Sequence, residues 1–442
     1  MDYFGLKKNN TTVRREVIAG LTTFFAMAYI LGVTPVMLGD AGMPATGVFF
    51  ATVVASGLAC LLMGLVSDYP VALAPGLGIM PIFVYTIVLG MGNTWETGLA
   101  ALLVSNIIFF LITISGLRNK ILDAIPHDLQ LAIGAGIGFF IAFIGLKDAG
   151  IIVADPSTLV ALGPLTVAPA LLTIIGLILI VILYARGRSW AVFVGLVITA
   201  IIGIIFTLFG FGAGNELMPV IPAEIISFNF DTSLFLALGR GFSGLFSNIT
   251  NLVVVIFTIL FVTFFDATGT LIPLANACGR VDDEGNIDGI ERAFMADAAS
   301  GIISAIFGTS TVTAFVESAT GVSVGGKTGL TAVVTGICFL LALFLAPVFL
   351  ALFTSGVTGA ALIFVGFLMM AQLKDINWGS FKVIAAAAMT IISMILSYSI
   401  TVGIALGFLV YFVASVASGE KEVLKPASII LLILFVIYLF LL

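Results

Sequence analysis

The sequence predicts an all-α polytopic membrane protein with about fourteen transmembrane segments. Of its 442 residues, 61% are hydrophobic and only 9% are charged, and the mean hydropathy is +1.27. A soluble domain carries about 25% charged residues, so this chain cannot cover its surface with polar groups and has to be solvated by lipid. Continuous apolar runs of the ~20 residues that cross a bilayer recur along the chain. A transmembrane β-barrel would instead show short segments of alternating polarity.

Polar residues divide these runs into fourteen spans, of which the third and the tenth are interrupted. The predicted spans cover residues 16–38, 46–66, 73–91, 97–116, 128–146, 168–185, 190–210, 250–276, 291–307, 311–324, 328–353, 356–371, 380–397 and 400–417. The interrupted segments, ALAPGLGIMPIF (72–83) and GTSTVTAFVESATGVSVGG (308–326), are rich in Gly, Pro, Ser and Thr, so neither is expected to be a continuous helix. In the second segment, Thr311, Thr313 and Phe315 recur with a period of two, which predicts a short extended piece.

The distribution of basic residues predicts the orientation of the chain. With fourteen spans, 15 of the 17 Lys and Arg residues fall on the side of the N-terminus, and only Lys147 and Arg240 fall opposite. The positive-inside rule makes the first side the cytoplasm, so a multi-pass protein of the cell membrane with a cytoplasmic N-terminus is predicted. Lys147 and Asp148 are expected in a loop. The hydrophobic tail, 426–442, is left over, either as an interfacial helix or as a further span.

Other reactive side chains carry no sign of a metal or cofactor site. The three cysteines, Cys60, Cys278 and Cys338, lack pairing or metal spacing and are interpreted as small apolar fillers. His127 is the single histidine, so it cannot form a metal cluster by itself. Asp297 is expected only to cap its helix or to pair near the cytoplasmic end. The net charge of −6 argues against nucleic-acid binding.

The chain also repeats itself faintly. ETGLAALLV (96–104) and KTGLTAVVT (327–335) each follow one interrupted segment, and FFAMAYILGVTP (24–35) shares its opening pair with FFDATGTLIPLA (264–275). Two halves of seven spans have opposite topology, because seven is odd. Inverted repeats with interrupted helices at matching places are typical of secondary transporters, whose substrate site lies at the repeat interface near mid-membrane. Chance likeness among apolar helices is the alternative explanation.

Two carboxylates lie inside apolar segments. Asp266 falls near the centre of the eighth span, with Thr263, Gly269 and Thr270 on or near the same predicted helical face. Glu317 follows the extended piece of the tenth span. A charge at the bilayer centre costs roughly 2.5–3.5 kcal/mol on insertion scales, and such residues usually face a cavity or a partner. The alternatives are an aspartate tied to a neighbouring helix and a glutamate at a helix N-terminus near the interface.

These carboxylates indicate proton-coupled binding of a small neutral molecule. Desolvation disfavours the charged form of a carboxyl group, so Asp266 and Glu317 are the candidates for proton coupling. The sequence has no cluster of basic residues at membrane depth, which argues against an anionic substrate that relies on side-chain cations. Carboxylates instead accept hydrogen bonds from N–H groups such as those of a nucleobase. Phe24, Phe25 and Phe315 are candidates for stacking on such a ring.

Five stretches carry a resemblance to a known family. They are TTFFAMAYI (22–30), ALAPGLG (72–78), FFDATGTL (264–271), GTSTVTAFVES (308–318) and GGKTGLTAVVTG (325–336). In this order they closely resemble the AzgA-like guanine/hypoxanthine/adenine permeases, which belong to the nucleobase–cation symporter superfamily that includes uracil permease. The likeness runs from about residue 11 to the hydrophobic tail.

The resemblance implies a fold of two inverted seven-span repeats that divide into a core and a gate. Residues 16–117 and 248–355 are expected to form the core, and residues 118–212 and 356–418 the gate. Short antiparallel strands in spans 3 and 10 are expected to meet at the substrate. The implied activity is import of a purine nucleobase with protons, by movement of the core against the gate. A homodimer is a further expectation.

The motifs and the resemblance together give one set of candidate substrate-binding residues. These are Phe25, Ala26, Gly76, Gly78, Met80, Asp266, Thr270, Thr313, Phe315, Glu317 and Ser318. Thr270 falls where uracil permease has a histidine linked to proton coupling, so this chain resembles the purine branch. Met80 and Thr34 stand where members of the family commonly have asparagine. These two departures remove polar groups near the expected site and leave the exact purine open.

An intramembrane protease and an ion channel explain fewer of these sequence features than a transporter does. An intramembrane aspartyl protease needs two aspartates and a GxGD element on a span, whereas the pair here is Asp and Glu. An ion channel needs a filter motif, and the two-fold repeat fits alternating access better. Within the transporter class, the competing substrates are uracil, xanthine or an inorganic anion carried on the same fold.

Overall fold

The computed structural model describes residues 3–116, 126–188, 190–247, 249–280, 287–420 and 422–441. Ten helices in this part of the chain are long and apolar enough to cross a membrane: Val13–Gly39, Ala45–Ser67, Trp95–Ile114, His127–Asp148, Ala168–Ala185, Ala191–Leu208, Leu252–Ala277, Gly329–Leu352, Ser355–Asp375 and Ile400–Ala417. Ile79–Gly90, Phe381–Leu396 and Ser428–Phe440 are shorter apolar helices. The prediction of a polytopic helical membrane protein is therefore confirmed.

The secondary structure is almost entirely helical. The α-helices are α1 (Val13–Met27), α2 (Ile30–Gly39), α3 (Ala45–Leu62), α4 (Ile79–Pro81), α5 (Trp95–Ile114), α6 (His127–Asp148), α7 (Ala168–Ala185), α8 (Ala191–Leu208), α9 (Phe242–Ser247), α10 (Ile249–Ala277), α11 (Ile290–Phe307), α12 (Ser318–Ser323), α13 (Gly329–Ala342), α14 (Ala346–Leu352), α15 (Ser355–Met370), α16 (Phe381–Leu396), α17 (Ile400–Ala417) and α18 (Pro426–Leu441). The strands are β1 (Leu73–Pro75), β2 (Ile152–Asp155), β3 (Leu159–Leu162) and β4 (Val312–Ala314). Wider π-type turns continue α3 over Met63–Ser67 and α4 over Ile82–Gly90.

Four of the predicted spans differ from the ten long apolar helices. Residues 73–91 and 311–324 each begin with a three-residue strand, so only a short helix follows. α11 covers the predicted span 291–307 but carries three charged residues, Glu291, Arg292 and Asp297. α16 has only 16 residues. The count of fourteen spans therefore stays a prediction.

The two interrupted segments meet as strands β1 and β4. They pair antiparallel, with Leu73 opposite Ala314, Ala74 opposite Thr313 and Pro75 opposite Val312. The order of elements around the two strands is the same. α1 and α2, which form one broken helix, and α3 precede β1, and α4 and α5 follow it. α10 and α11 precede β4, and α12 and α13 follow it.

The end of α6 corrects one expectation. Lys147 and Asp148, expected in a loop, are the last two residues of this 22-residue helix. The polar pair continues the helix because its side chains find partners at the helix end, Lys147 Nζ lying 3.2 Å from Asp148 Oδ1. A β2–β3 hairpin, which no sequence pattern had predicted, follows. Its turn is closed by Asp155 Oδ1, which accepts from the backbone N–H of Ser157 at 2.8 Å.

The hydrophobic tail is a helix packed on the rest of the molecule. The ring of Phe435 in α18 is fully buried and contacts Phe257 and Phe261 of α10 and Phe408 of α17, at centroid distances of 5.1 to 5.6 Å. The contacts with Phe257 and Phe261 are edge to face, a geometry that contributes beyond simple burial. The tail therefore belongs to the folded body.

Glycines allow the closest helix contacts. A Cβ built on Gly366 of α15 would stand 2.5 Å from the carbonyl oxygen of Gly138 in α6. A Cβ on Gly336 of α13 would stand 2.8 Å from the carbonyl oxygen of Gly57 in α3. Small residues let helix backbones approach in lipid, where van der Waals packing replaces the hydrophobic effect as the driving force. α6 with α15 and α3 with α13 accordingly pack closely.

Candidate functional site

The candidate site is built around the crossing of β1 and β4. The pairing continues past the strands, because Phe315 N donates to Ala72 O at 3.0 Å and Gly76 N donates to Thr311 O at 2.9 Å. Non-helical backbone at membrane depth is tolerated only where protein or a cavity satisfies its polar groups. The outer edges of the two strands therefore need partners from neighbouring helices.

Three polar side chains satisfy the outer edge of β4 and the residue before it. Asp297 Oδ1 in α11 accepts from Ala314 N at 2.8 Å and from Thr313 Oγ1 at 3.0 Å. Ser304 Oγ accepts from Val312 N at 3.2 Å. Asn106 Nδ2 in α5 donates to the hydroxyl of Thr311 at 3.0 Å. These contacts fix the strand to two long helices.

Asp297 has a different role from the one expected from the sequence. It was expected to cap or pair near the end of its helix, but its side chain is buried and anchors β4. Its partners follow 16 and 17 residues later, across a turn that no local pattern announces. The available signal was a carboxylate among the small residues of FMADAASG, because small neighbours permit a close approach.

The sulfur of Cys60 and the hydroxyl of Ser318 satisfy β1. Leu73 N donates to Cys60 Sγ at 3.2 Å, and the thiol lies 3.3 Å from Leu73 O as a donor. Ala72 N donates to Ser318 Oγ at 3.0 Å. Cys60, interpreted from sequence as a filler, is therefore a polar contact of the strand. Ser318, a predicted site residue, links β1 to the start of α12.

Asp266 lies against the turn that follows β1. A Cβ built on Gly76 would stand 2.8 Å from Asp266 Oδ2 and 2.7 Å from Thr313 Cγ2. A Cβ built on Gly78 would stand 3.8 Å from the same carboxylate oxygen. Glycine is required at position 76 because any side chain would fill the space between the strand and the carboxylate. Among the side chains that the structure describes, none forms a hydrogen bond or ion pair with Asp266.

Glu317 lies beside the break of the first helix. The hydroxyl of Tyr29 donates to Glu317 Oε1 at 2.7 Å. Tyr29 is fully buried and stands between α1 and α2, where the helix is interrupted. Glu317 immediately precedes α12, and α10 packs against both β4 and α12. The two carboxylates therefore lie on elements that contact each other.

The other predicted site residues divide into buried and exposed ones. Ala26, Met80, Thr270 and Phe315 are buried. The ring of Phe25 is 41% exposed and packs on Phe193 of α8, at a centroid distance of 5.6 Å. It lines an apolar groove of about 320 Å³ at this helix pair. The structure therefore does not bring Phe25 together with the strand crossing.

The predicted small polar face of α10 is only partly formed. Gly269 is exposed, and a Cβ built there would meet open space. The Thr263 hydroxyl donates to Ile259 O of its own helix at 2.8 Å. A helical pattern identifies a face but not which neighbour covers it: the Thr263 hydroxyl is satisfied within its own helix, and Gly269 has no close neighbour. Phe24, also a stacking candidate, packs on Phe339 at 5.3 Å.

The arrangement suits a neutral ligand with N–H groups. The polar side chains around the strands are carboxylates, hydroxyls, an amide and a thiol, and the contacts given above include no lysine or arginine. A carboxylate accepts hydrogen bonds from a neutral donor-rich ring and repels an anion. No group of three or more His, Cys, Asp or Glu side chains within the described residues is placed to hold a metal ion.

Comparison with known proteins gives the relatives of this chain. The sequence model of a family described as "Permease family" (Xan_ur_permease) matches residues 14–431. Guanine/hypoxanthine permease PbuG of Bacillus subtilis is 42% identical over 452 residues, covering 99% of this chain and 98% of that protein. Adenine permease AdeP of Escherichia coli is 40% identical over 435 residues, covering 98% of this chain and 94% of that protein.

A solved structure shares the fold. The transmembrane domain of the cyanobacterial bicarbonate transporter BicA superposes with a TM-score of 0.62 at 14% identity. The superposition covers 87% of this chain and 95% of that domain. At this identity the likeness concerns the fold alone.

Proposed function

Because this chain belongs to the permease family, we propose that it is a secondary transporter that imports purine nucleobases together with protons. Relatives named for guanine, hypoxanthine and adenine match it along nearly the whole chain, which supports this substrate class. The expected location of the protein is the cell membrane, with the N-terminus in the cytoplasm. The distribution of basic residues supports that orientation.

One observation carries the proposal: Asp266 and Glu317 lie on contacting elements beside the crossing of β1 and β4. A carboxylate held against a glycine turn, without a partner among the described residues, is available to a ligand or a proton. Ionisable groups inside membrane spans usually serve such functions, because burying them is costly. Asp266 and Glu317 are the proposed substrate-binding and proton-coupling residues, and Thr313 and Ser318 the proposed supporting contacts.

We propose alternating access by movement of a core against a gate. The core would comprise residues 16–117 and 248–355, and the gate residues 118–212 and 356–418, in fourteen spans that form two inverted repeats. The repeated order of elements around β1 and β4 supports the repeat. The close pairs α3 with α13 and α6 with α15 each fall within one of these units, which supports the division. A homodimer is the expected assembly.

Uptake into proteoliposomes tests this function. Purified protein is reconstituted with an acidic exterior, and uptake of labelled adenine, guanine, hypoxanthine, xanthine and uracil is measured. We expect one or more purines to accumulate, and a protonophore to abolish the accumulation because it removes the gradient. Accumulation that follows a sodium gradient instead would contradict proton coupling, and accumulation of uracil alone would contradict the purine assignment.

Two variants test the carboxylates. Glu317→Gln keeps an acceptor oxygen for Tyr29 but cannot take up a proton at neutral pH, so we expect purine accumulation to be lost. Asp266→Asn is expected to act likewise. Glu216→Gln and Asp375→Asn change exposed carboxylates and serve as matched controls that should transport normally. Normal accumulation by Glu317→Gln would refute its role.

Another nucleobase or an inorganic anion is the competing substrate. The inorganic anion is considered because the fold resembles that of a bicarbonate transporter, but likeness of fold carries no information about the ligand. Two carboxylates at the crossing oppose a bound anion. Bicarbonate that competes with purine uptake at constant pH would favour the anion instead.

A further inference from the structure

A second polar cluster lies at the end of the molecule away from the start of α1. A cavity of about 690 Å³ opens there, where α2, the Ile79–Gly90 helix and α6 end and α17 begins. Asp40, Tyr85, Lys147, Asp148 and Tyr398 contribute to its lining. Lys147 is one of the two basic residues that the positive-inside count assigns to the outer side of the membrane.

Lys147 connects three parts of the chain. Its amino group donates to the hydroxyl of Tyr398 at 3.3 Å and lies 3.2 Å from Asp148 Oδ1. The same group stands 5.0 Å from the centre of the Tyr85 ring and 5.6 Å from that of Tyr398, which is cation–π distance. The two rings pack edge to face at 5.1 Å. Tyr85 in turn donates to Asp40 Oδ2 at 2.6 Å.

Two of these contacts cross the boundary between the proposed core and gate: the Lys147 amino group over the Tyr85 ring, and the Tyr85 ring against that of Tyr398. Asp40 and Tyr85 belong to the proposed core, whereas Lys147, Asp148 and Tyr398 belong to the proposed gate. Here an ammonium group and two aromatic rings join the two units, and each unit supplies a carboxylate that pairs with its own member of the contact. The loss of one partner would weaken the contact between the units and leave each unit intact.

The same helices also meet at the candidate site. A Cβ built on Gly78 would stand 3.6 Å from Ile137 Cδ1 in α6 and 3.8 Å from the carboxyl carbon of Asp266. Tyr85 lies seven residues beyond Gly78, and Lys147 ten residues beyond Ile137, which is ~10 and ~15 Å along their helices. The interface between these two helices, called the seam below, therefore runs from the candidate site to the outer cavity, and the cluster lies on it.

The chemistry of the cluster is that of a closed contact between two parts of the protein, not that of a ligand-binding site. Its polar groups are directed at one another: the Tyr85 hydroxyl bonds to Asp40, and the Lys147 amino group covers both rings. Tyr398 has a backbone φ of +54°, in the left-handed region that bulky residues rarely adopt. Such a conformation persists where the surrounding contacts impose it, and these residues often serve a function.

We propose that Lys147, Tyr85 and Tyr398 form the outer barrier of the transport path. Their contacts close the seam between core and gate, and they have to separate before a substrate can pass between the outer cavity and Asp266. This inference rests on the proposed function in one respect, since it requires that the core moves against the gate. It does not depend on which molecule is carried.

Thiol labelling from outside the cell tests the barrier. The reporter is Ile137→Cys in a chain in which Cys278 and Cys338 are replaced by Ala and the fully buried Cys60 is retained. Intact cells are treated with a membrane-impermeant methanethiosulfonate. Lys147→Ala is expected to raise the labelling rate about threefold to tenfold, since loss of a cation–π contact shifts the population toward the outward-open state. Lys147→Arg, which keeps the charge, is expected to label slowly.

Lys382→Ala is the matched control. Lys382 also pairs with a carboxylate, that of Glu420, and lies 5.5 Å from the centre of a tyrosine ring, that of Tyr411, but all three residues belong to the proposed gate or its C-terminal end. Its loss should leave the labelling rate unchanged. Tyr398→Phe removes only the hydroxyl that holds the Lys147 amino group near the Tyr85 ring of the core, and it provides a second test if Lys147→Ala does not fold. Labelling rates equal to that of the reporter chain in every folded variant of Lys147 and Tyr398 would overturn the proposal.

The experiment separates the barrier from the substrate. Faster labelling of Lys147→Ala supports the barrier whether or not a purine slows the reaction. Protection of the reporter by a purine, with no effect of Lys147→Ala or Tyr398→Phe, would support the proposed function and refute the barrier.

Discussion

The hydroxyl of Tyr29 donates a 2.7 Å hydrogen bond to Glu317 Oε1 and so joins the break of the first helix to the residue that immediately precedes α12. The two residues are 288 positions apart in the chain. The bond connects the two halves of the molecule directly beside the strand crossing. It also fixes the direction in which one carboxylate oxygen points, because a hydrogen bond to a charged group is short and directional.

Tyr29→Phe should weaken substrate binding without loss of the fold. The substitution removes only the hydroxyl, and hydrogen bonds to charged groups contribute about 1.5–3 kcal/mol, so we expect the KM for purine uptake to rise about tenfold or more. The measurement is the concentration dependence of initial uptake in proteoliposomes. Tyr184→Phe, at an exposed position, is the control. An unchanged KM for Tyr29→Phe would show that this bond does not position Glu317.

Gly76→Ala should abolish transport, whereas Gly269→Ala should not. The new methyl group at position 76 would stand 2.8 Å from Asp266 Oδ2, closer than real Cβ contacts allow, so the carboxylate or the strand has to move. At position 269 the same methyl group meets open space. We expect uptake to fall at least about tenfold for the first variant and to stay near the parental rate for the second. Similar uptake by both variants would argue that the carboxylate is not held in this position during transport.

Asp297→Ala should destabilise the protein. It removes the acceptor of Ala314 N and of the Thr313 hydroxyl, and a buried polar group left without a partner costs about 1–3 kcal/mol. We expect a lower Tm for the detergent-purified protein and a loss of uptake, because β4 is no longer anchored. Asp297→Asn keeps an acceptor oxygen and should retain most of the Tm. Asp375→Ala, at an exposed position, is the control and should melt at the parental temperature. If Asp297→Ala melts there as well, the contact between Asp297 and β4 does not stabilise the protein.

Glu16→Ala should also lower the Tm, at a place remote from the site. Glu16 is fully buried, and its carboxylate accepts from Lys327 N at 3.1 Å, Thr328 N at 3.2 Å and Thr331 Oγ1 at 2.6 Å. These groups lie at the beginning of α13, where carboxylates stabilise a helix by satisfying its free N–H groups. Glu216→Ala, at an exposed position, is the control. A drop in Tm for both variants would point to a general effect of lost charge.

Local patterns were sufficient to predict the elements of the site. The period of two at Thr311, Thr313 and Phe315 predicted an extended piece, and β4 covers Val312–Ala314. Asp266 was recognisable as a candidate functional residue because a carboxylate inside an apolar run is costly to bury and usually has a function. Chemistry that is visible within a few residues can be interpreted without coordinates.

The partners of these residues could not be predicted in the same way. Tyr29 and Asp297 contact Glu317 and Thr313 through tertiary packing, and the residues next to them in the chain do not identify these partners. Phe25 was a candidate for stacking on a nucleobase ring, but its ring packs on Phe193, away from the strand crossing. A helix rotates successive side chains by ~100°, so neighbours along the chain face different surroundings.

The shortness of β1 has a consequence for how the protein is made. Leu73–Pro75 pairs only with residues that are synthesised about 240 positions later, in β4. At ~5–20 residues per second, the ribosome needs roughly 12 to 48 s to supply that partner. During this interval the nascent first half inserts with an incomplete centre, and the sulfur of Cys60 is the contact already available to Leu73. Ribosome stalling or a truncation before residue 312 should therefore yield an early intermediate that insertion chaperones and quality-control proteases recognise.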